Sequence, residues 1–102
     1  MITITMHHDK KDRYTGFTIT GHAGYDEAGS DIVCAAVSAL SQTALLGLIQ
    51  YASQDVSYEV NDGFLSVQVP KPCDASQIIL GTMVAGLEQI VRQYGEYVVL
   101  DS

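Results

Sequence analysis

Cations are scarce in this sequence. Lys and Arg total five against twelve Asp and Glu, and the formal net charge is −7. Nucleic-acid surfaces carry a basic stripe, so this balance argues against direct nucleic-acid binding. The short run Lys10-Lys11-Asp12-Arg13 contains its own aspartate and reads as a solvated turn. An acidic surface favours a cationic partner, such as a basic peptide. Cysteine is scarce too. Cys34 and Cys73 are the two, with no CxxC, and a disulfide between them stays open at this level. Neither these cysteines nor His7, His8 and His22 show zinc-ligand spacing, so no metal and no cofactor is expected. Gly21, Gly24 and Gly29 match neither GxGxxG nor a phosphate-binding loop.

Charge as a whole is low. Charged residues make up 17% of the 102-residue chain, below the usual ~25%. A single domain with so few charges is expected to have part of its surface covered by a second copy. No charged residue lies between Asp31 and Asp55, which raises the membrane question. Ser38, Ser41, Gln42, Thr43 and Gln50 interrupt that run, and its flanks are acidic rather than basic. A buried helix without membrane insertion is therefore expected. The chain opens on Met1-Ile2-Thr3-Ile4-Thr5, a strand pattern rather than a leader, so a cytoplasmic protein with free thiols is the expectation.

What is present is alternation and two helical runs. Ile2, Ile4 and Met6 alternate with Thr3 and Thr5, and Phe17 and Ile19 with Thr18 and Thr20, giving a first hairpin. A helix is expected from about Asp31 to about Ala52, capped by Ser30 or Asp31. Its apolar residues run almost all round, as in a helix buried on more than one side. Val56, Tyr58 and Val60, the turn signal Asn61-Asp62-Gly63, and Leu65, Val67 and Val69 give a second hairpin. A second helix, capped by Asp74 or Ser76, runs to about Tyr94. Ile78, Ile79, Met83, Leu87, Ile90 and Val91 are assigned to its core side. A last strand covers residues 97–100. The order is ββαββαβ, without repeats or linkers. It predicts an α+β domain over residues 1–102: a small, mainly antiparallel or mixed sheet with two helices on one face.

Chemistry is legible between residues 21 and 38. Cys34 falls in the first helical turn, where oriented N–H groups lower a thiol from its usual ~8.5. It reads as a thiolate nucleophile or as a small buried hydrophobe. His22 precedes the glycine-containing loop and can fold back over the helix start. It reads as a general base and acid, or as a turn histidine bonded to backbone. Asp31 and Ser38, three before and four after Cys34, share its helix face. Asp31 is expected to cap the helix or to orient His22, although its carboxylate also opposes a thiolate. Ser38 donates to the thiolate or substrate, or bonds back to the Cys34 carbonyl. The loop over Ala23, Gly24, Tyr25, Gly29 and Ser30 reads as a lid or as an ordinary connection.

Gly21-His22-Ala23, a loop with Gly29, then Asp31-Ile32-Val33-Cys34-Ala35-Ala36-Val37-Ser38 resembles the Prp family of ribosomal-processing cysteine proteases. Length, element order and the run Gln77 to Met83 extend the resemblance over nearly the whole chain. Leu46 departs from the asparagine of some members. The resemblance implies a Cys–His peptidase with Cys34 as nucleophile and His22 as base and acid. It also implies a homodimer. The implied substrate is the N-terminal extension of large-subunit ribosomal protein twenty-seven, cleaved after a pair of phenylalanines. The competing classes are a non-catalytic peptide-binding ribosome-assembly factor and a thiol redox or acyl-transfer protein.

Overall fold

The computed structural model describes residues 1–27, 31–52 and 55–102. The elements follow the expected order: β1 (Ile2–His8), β2 (Tyr14–Thr20), α1 (Ile32–Tyr51), β3 (Ser57–Asn61), β4 (Phe64–Gln68), α2 (Asp74–Tyr94) and β5 (Val98–Asp101). Sheet order is β3-β4-β2-β1-β5. β1 and β5 run parallel, and the other neighbours antiparallel, so the sheet is mixed. Both hairpins form, and β4 then pairs with β2 so that Thr20 lies opposite Phe64. That non-local pairing brings the end of β2 to the β3–β4 turn.

One face of the sheet is apolar because strand side chains alternate. Ile2, Ile4, Met6, Phe17, Ile19, Leu65 and Val67 are buried beneath the helices. Thr3 and Thr20, opposite each other on the other face, are exposed. Ile4 and Phe17 lose all contact with solvent. Truncating Phe17 to alanine would cost ~3–5 kcal/mol, from lost transfer energy plus the cavity left behind.

α1 buries Val33, Val37, Ser41, Ala44, Leu45 and Leu48, a set at helical spacing. Ser41 spends its hydroxyl on the Val37 carbonyl at 2.8 Å, which satisfies it inside the core. The two helices approach closely through glycines. Gly47 faces Ile79, and a Cβ at Gly86 would lie 3.1 Å from Leu40. By length and composition alone α1 could cross a bilayer. Its outer side exposes Ile32, Leu46 and Ile49, at 55%, 54% and 44%.

Two expectations need correction, and one strand departs from the burial of the others. The α2 cap is Cys73, not Asp74 or Ser76: its sulfur accepts from the Ser76 N–H, and Ser76 completes the capping box as the third helical residue. Ile78 is 70% exposed, not in the core. The buried face of α2 is Ser76, Leu80, Met83, Val84 and Leu87, and Ile78 lies two residues from both Ser76 and Leu80, on the opposite side. Every residue of β3 is exposed, Tyr58 and Val60 included. β3 is an edge strand whose one neighbour among the described residues is β4, and α2 packs on β2 and β5, away from it.

Candidate active site

The chain turns sharply where β2 ends. Gly21 has φ +92°, and a side chain there would collide with the Met1 carbonyl oxygen. The Gly21 N–H donates to the Gly63 carbonyl at 2.8 Å, prolonging the β2–β4 pairing by one bond. The Met1 nitrogen donates to the His22 carbonyl. His22 is thus held by its backbone on both sides, while its side chain remains 63% exposed.

Asp31 organises the start of α1. Its Oδ1 accepts from the Val33 and Cys34 N–H groups, both at 3.0 Å. Its Oδ2 accepts from Tyr25 at 3.0 Å and from Asp26 at 3.4 Å. The Cys34 amide is the chief cause that holds this carboxyl below its ordinary 3.8. Desolvation opposes it, and the Asp26, Tyr25 and Val33 amides reinforce it. Both oxygens are therefore committed to backbone. The capping expectation for Asp31 holds. The His22 Nε2 lies 3.6 Å from Oδ1 of Asp62, in the β3–β4 turn.

Cys34 is the third residue of α1 and is half-buried. Ala23 is buried against the core and donates its N–H to the Cys34 Sγ at 3.2 Å. The sulfur thus faces a backbone donor at the start of the helix. Among the described residues no hydrogen bond joins the His22 ring to Cys34, so the two groups face one space without touching. That space is a cavity of about 690 Å³ between the first half of α1 and the β3–β4 turn. Ile19, Val37, Val60, Phe64 and Leu65 give it apolar walls, and His22, Cys34, Ser38 and Asp62 bring polar atoms to it. Ser38 is exposed at the cavity, one turn beyond Cys34. Back-bonding to a carbonyl occurs at Ser41 instead.

Tyr25 packs edge-on against Tyr94 and Tyr97, with ring centroids 5.6 and 5.2 Å apart. With the Asp31 bond, this ties the segment after His22 to the end of α2. Gly24 has φ +70° and lines the cavity. Gly29 and Ser30 lie outside the described residues. Among the described residues no three His, Cys, Asp or Glu side chains are grouped as a metal ion would need. Asp62 and Gly63 were legible only as a turn. Their place beside His22 depends on the β2–β4 pairing, which local pattern does not reveal.

The cysteine protease Prp family model matches residues 1–99. The chain belongs to the cysteine protease Prp family. It is 34% identical to the ribosomal processing cysteine protease Prp of Staphylococcus aureus (strain Mu50 / ATCC 700699), covering 99% of this chain and 98% of that one. It is 31% identical to the Prp of Bacillus subtilis (strain 168), over 90% and 87%. A crystal structure of an essential S. aureus Prp with a covalently linked product peptide superposes with a TM-score of 0.92. Identity there is 31%, with coverage of 99% of this chain and 98% of that chain. A second S. aureus Prp structure, with a substrate peptide, gives 0.83 at 28% identity, again over 99% and 98%. The mixed five-stranded sheet with its two helices is therefore the Prp fold, and this chain is a cysteine protease of that family.

Proposed function

We propose that this Prp protein is an endopeptidase in which Cys34 is the nucleophile and His22 the general base and acid. One observation carries the assignment: Cys34 and His22 line the same cavity, and the sulfur sits at a helix start facing a backbone donor. His22 takes the thiol proton, and the thiolate attacks the scissile carbonyl carbon. The tetrahedral adduct collapses to a thioester as His22 protonates the departing amine. Water, deprotonated by the same imidazole, then hydrolyses the thioester. A covalently linked product peptide in the S. aureus relative supports a route through an enzyme-bound peptide. Asp31 holds the helix start and the loop, and Ser38 donates to substrate from the cavity wall.

The substrate in this reading is the N-terminal extension of large-subunit ribosomal protein twenty-seven, in the cytoplasm. The apolar cavity walls suit a pair of aromatic side chains, and the net charge of −7 suits a basic ribosomal protein. A homodimer covers the outer side of α1, where Ile32, Leu46 and Ile49 are exposed. Light scattering should report about twice the 11.0 kDa chain. A stable monomer at micromolar concentration would remove the dimer.

The deciding experiment mixes the protein with the extended and mature forms of that ribosomal protein from the same host. Removal of the extension by wild-type protein, and none by Cys34→Ala or His22→Ala, supports the reading. Tight binding without cleavage by wild-type protein would support a peptide-holding assembly factor instead.

A further inference from the structure

We propose that the β3–β4 turn, Asp62–Gly63, positions the His22 imidazole; this rests on the peptidase reading above. The backbone bond from Gly21 to Gly63 fixes the turn beside His22. Gly63 has φ +67°, and a Cβ there would lie 2.7 Å from Nε2, 3.2 Å from Cδ2 and 3.3 Å from Cε1 of His22. The imidazole edge therefore rests where a side chain would otherwise be. Asp62 supplies the charge on the same edge, with Oδ1 at 3.6 Å from Nε2. Asp31 has both oxygens occupied by amides, and Asp26, which also lines the cavity, accepts the Glu27 N–H through Oδ1.

Nε2 is thus the nitrogen turned to the turn, and Nδ1 is the one left to serve Cys34. When the Sγ–H bond breaks and an Nδ1–H bond forms, the ring becomes an imidazolium whose Nε2–H faces the Asp62 carboxylate. Asp62 favours that orientation of the ring without touching substrate, which makes it a positioning residue. Its side chain is 97% exposed, so water and salt screen the attraction and the effect is a few-fold. The Gly63 contact is steric and unscreened, so its effect is larger.

The test uses the full chain with two readouts: steady-state cleavage of the extension peptide, and iodoacetamide alkylation of Cys34 followed by mass spectrometry without peptide. Asp62→Ala should lower kcat about three- to fivefold with KM within about twofold, and slow alkylation similarly. Asp62→Glu, which keeps a carboxylate within reach, should restore most of both. Gly63→Ala should lower kcat by at least about tenfold, because its Cβ displaces the ring. Should Gly63→Ala fail to fold, the Asp62 pair still decides. The proposal is overturned by wild-type kcat and alkylation in Asp62→Ala, by a loss confined to KM, or by Asp62→Glu performing no better than Asp62→Ala. If wild-type protein fails to cleave the peptide, the peptidase reading falls. The alkylation arm still reports whether Asp62 acts on His22.

Discussion

Cys34 and Cys73 both stand at the start of a long helix, yet they have different occupations. Cys73 is itself the cap of α2: its Sγ takes the Ser76 N–H at 3.5 Å, and its own N–H donates to the Ser76 Oγ at 2.9 Å. At α1 the capping is done by a carboxylate. Asp31 takes the first-turn amides, including that of Cys34, and leaves the Cys34 sulfur at the cavity wall with one N–H from Ala23. Position at a helix start therefore does not by itself decide what a thiol is bonded to. What matters is which side chain satisfies the orphan amides of that start.

The largest expected effect separates the two thiols by function. Cys34→Ala should reduce peptide cleavage at least about a thousandfold, since the nucleophile is lost. Cys73→Ala should leave kcat and KM within about twofold. Quantifying cleaved peptide by mass spectrometry checks both, and a comparable loss in Cys73→Ala would erase the distinction.

Breaking the carboxylate cap comes next. Asp31→Ala should lower the Tm by roughly 4–8 °C and kcat by about tenfold or more. It frees the start of α1 and the Tyr25–Asp26 backbone together. Asp31→Asn, which keeps one acceptor oxygen, should fall between. Thermal melts and kinetics on the two variants test this ordering.

The same cap has a pH signature. The folded-state pKa of Asp31 lies below its ordinary 3.8. Its stabilisation is therefore fully present above that value and is lost as pH falls through the folded-state pKa. Asp9 is shifted in the same direction, first by the Arg13 backbone amide, and contributes to the same acid limb. Urea melts from pH 5 down to pH 2 should show wild-type stability converging on that of Asp31→Asn. A constant difference at all pH values would mean that the Asp31 charge does not matter.

The smallest effect belongs to the thiol cap. Ser76→Ala removes the reciprocal half of the capping box at a fully buried position. It should cost ~1 kcal/mol in denaturant unfolding and leave cleavage unchanged.

The order ββαββαβ, both hairpins and the extent of both helices were legible because strand and helix periods differ and caps and turns punctuate them. His22 and Cys34 were legible because a short loop joins a strand end to a helix start. What escaped depended on tertiary geometry. The cap at Cys73 escaped because cysteine is not among the usual capping residues. The outward side of Ile78 was fixed by the register of α2 against its partners. The exposure of β3 followed from its place at the sheet edge. The nearness of Asp62 and Gly63 to His22 came from pairing β4 with β2 across more than forty residues of chain.

The central claim is that Cys34, not Cys73, carries the reaction. The most direct measurement is acid-quenched mass spectrometry of the wild-type protein during turnover of the extension peptide, followed by proteolytic mapping. The account predicts a peptidyl thioester on Cys34 that disappears as product accumulates. An adduct mapped to Cys73, or undiminished cleavage by a Cys34→Ala protein, would contradict it.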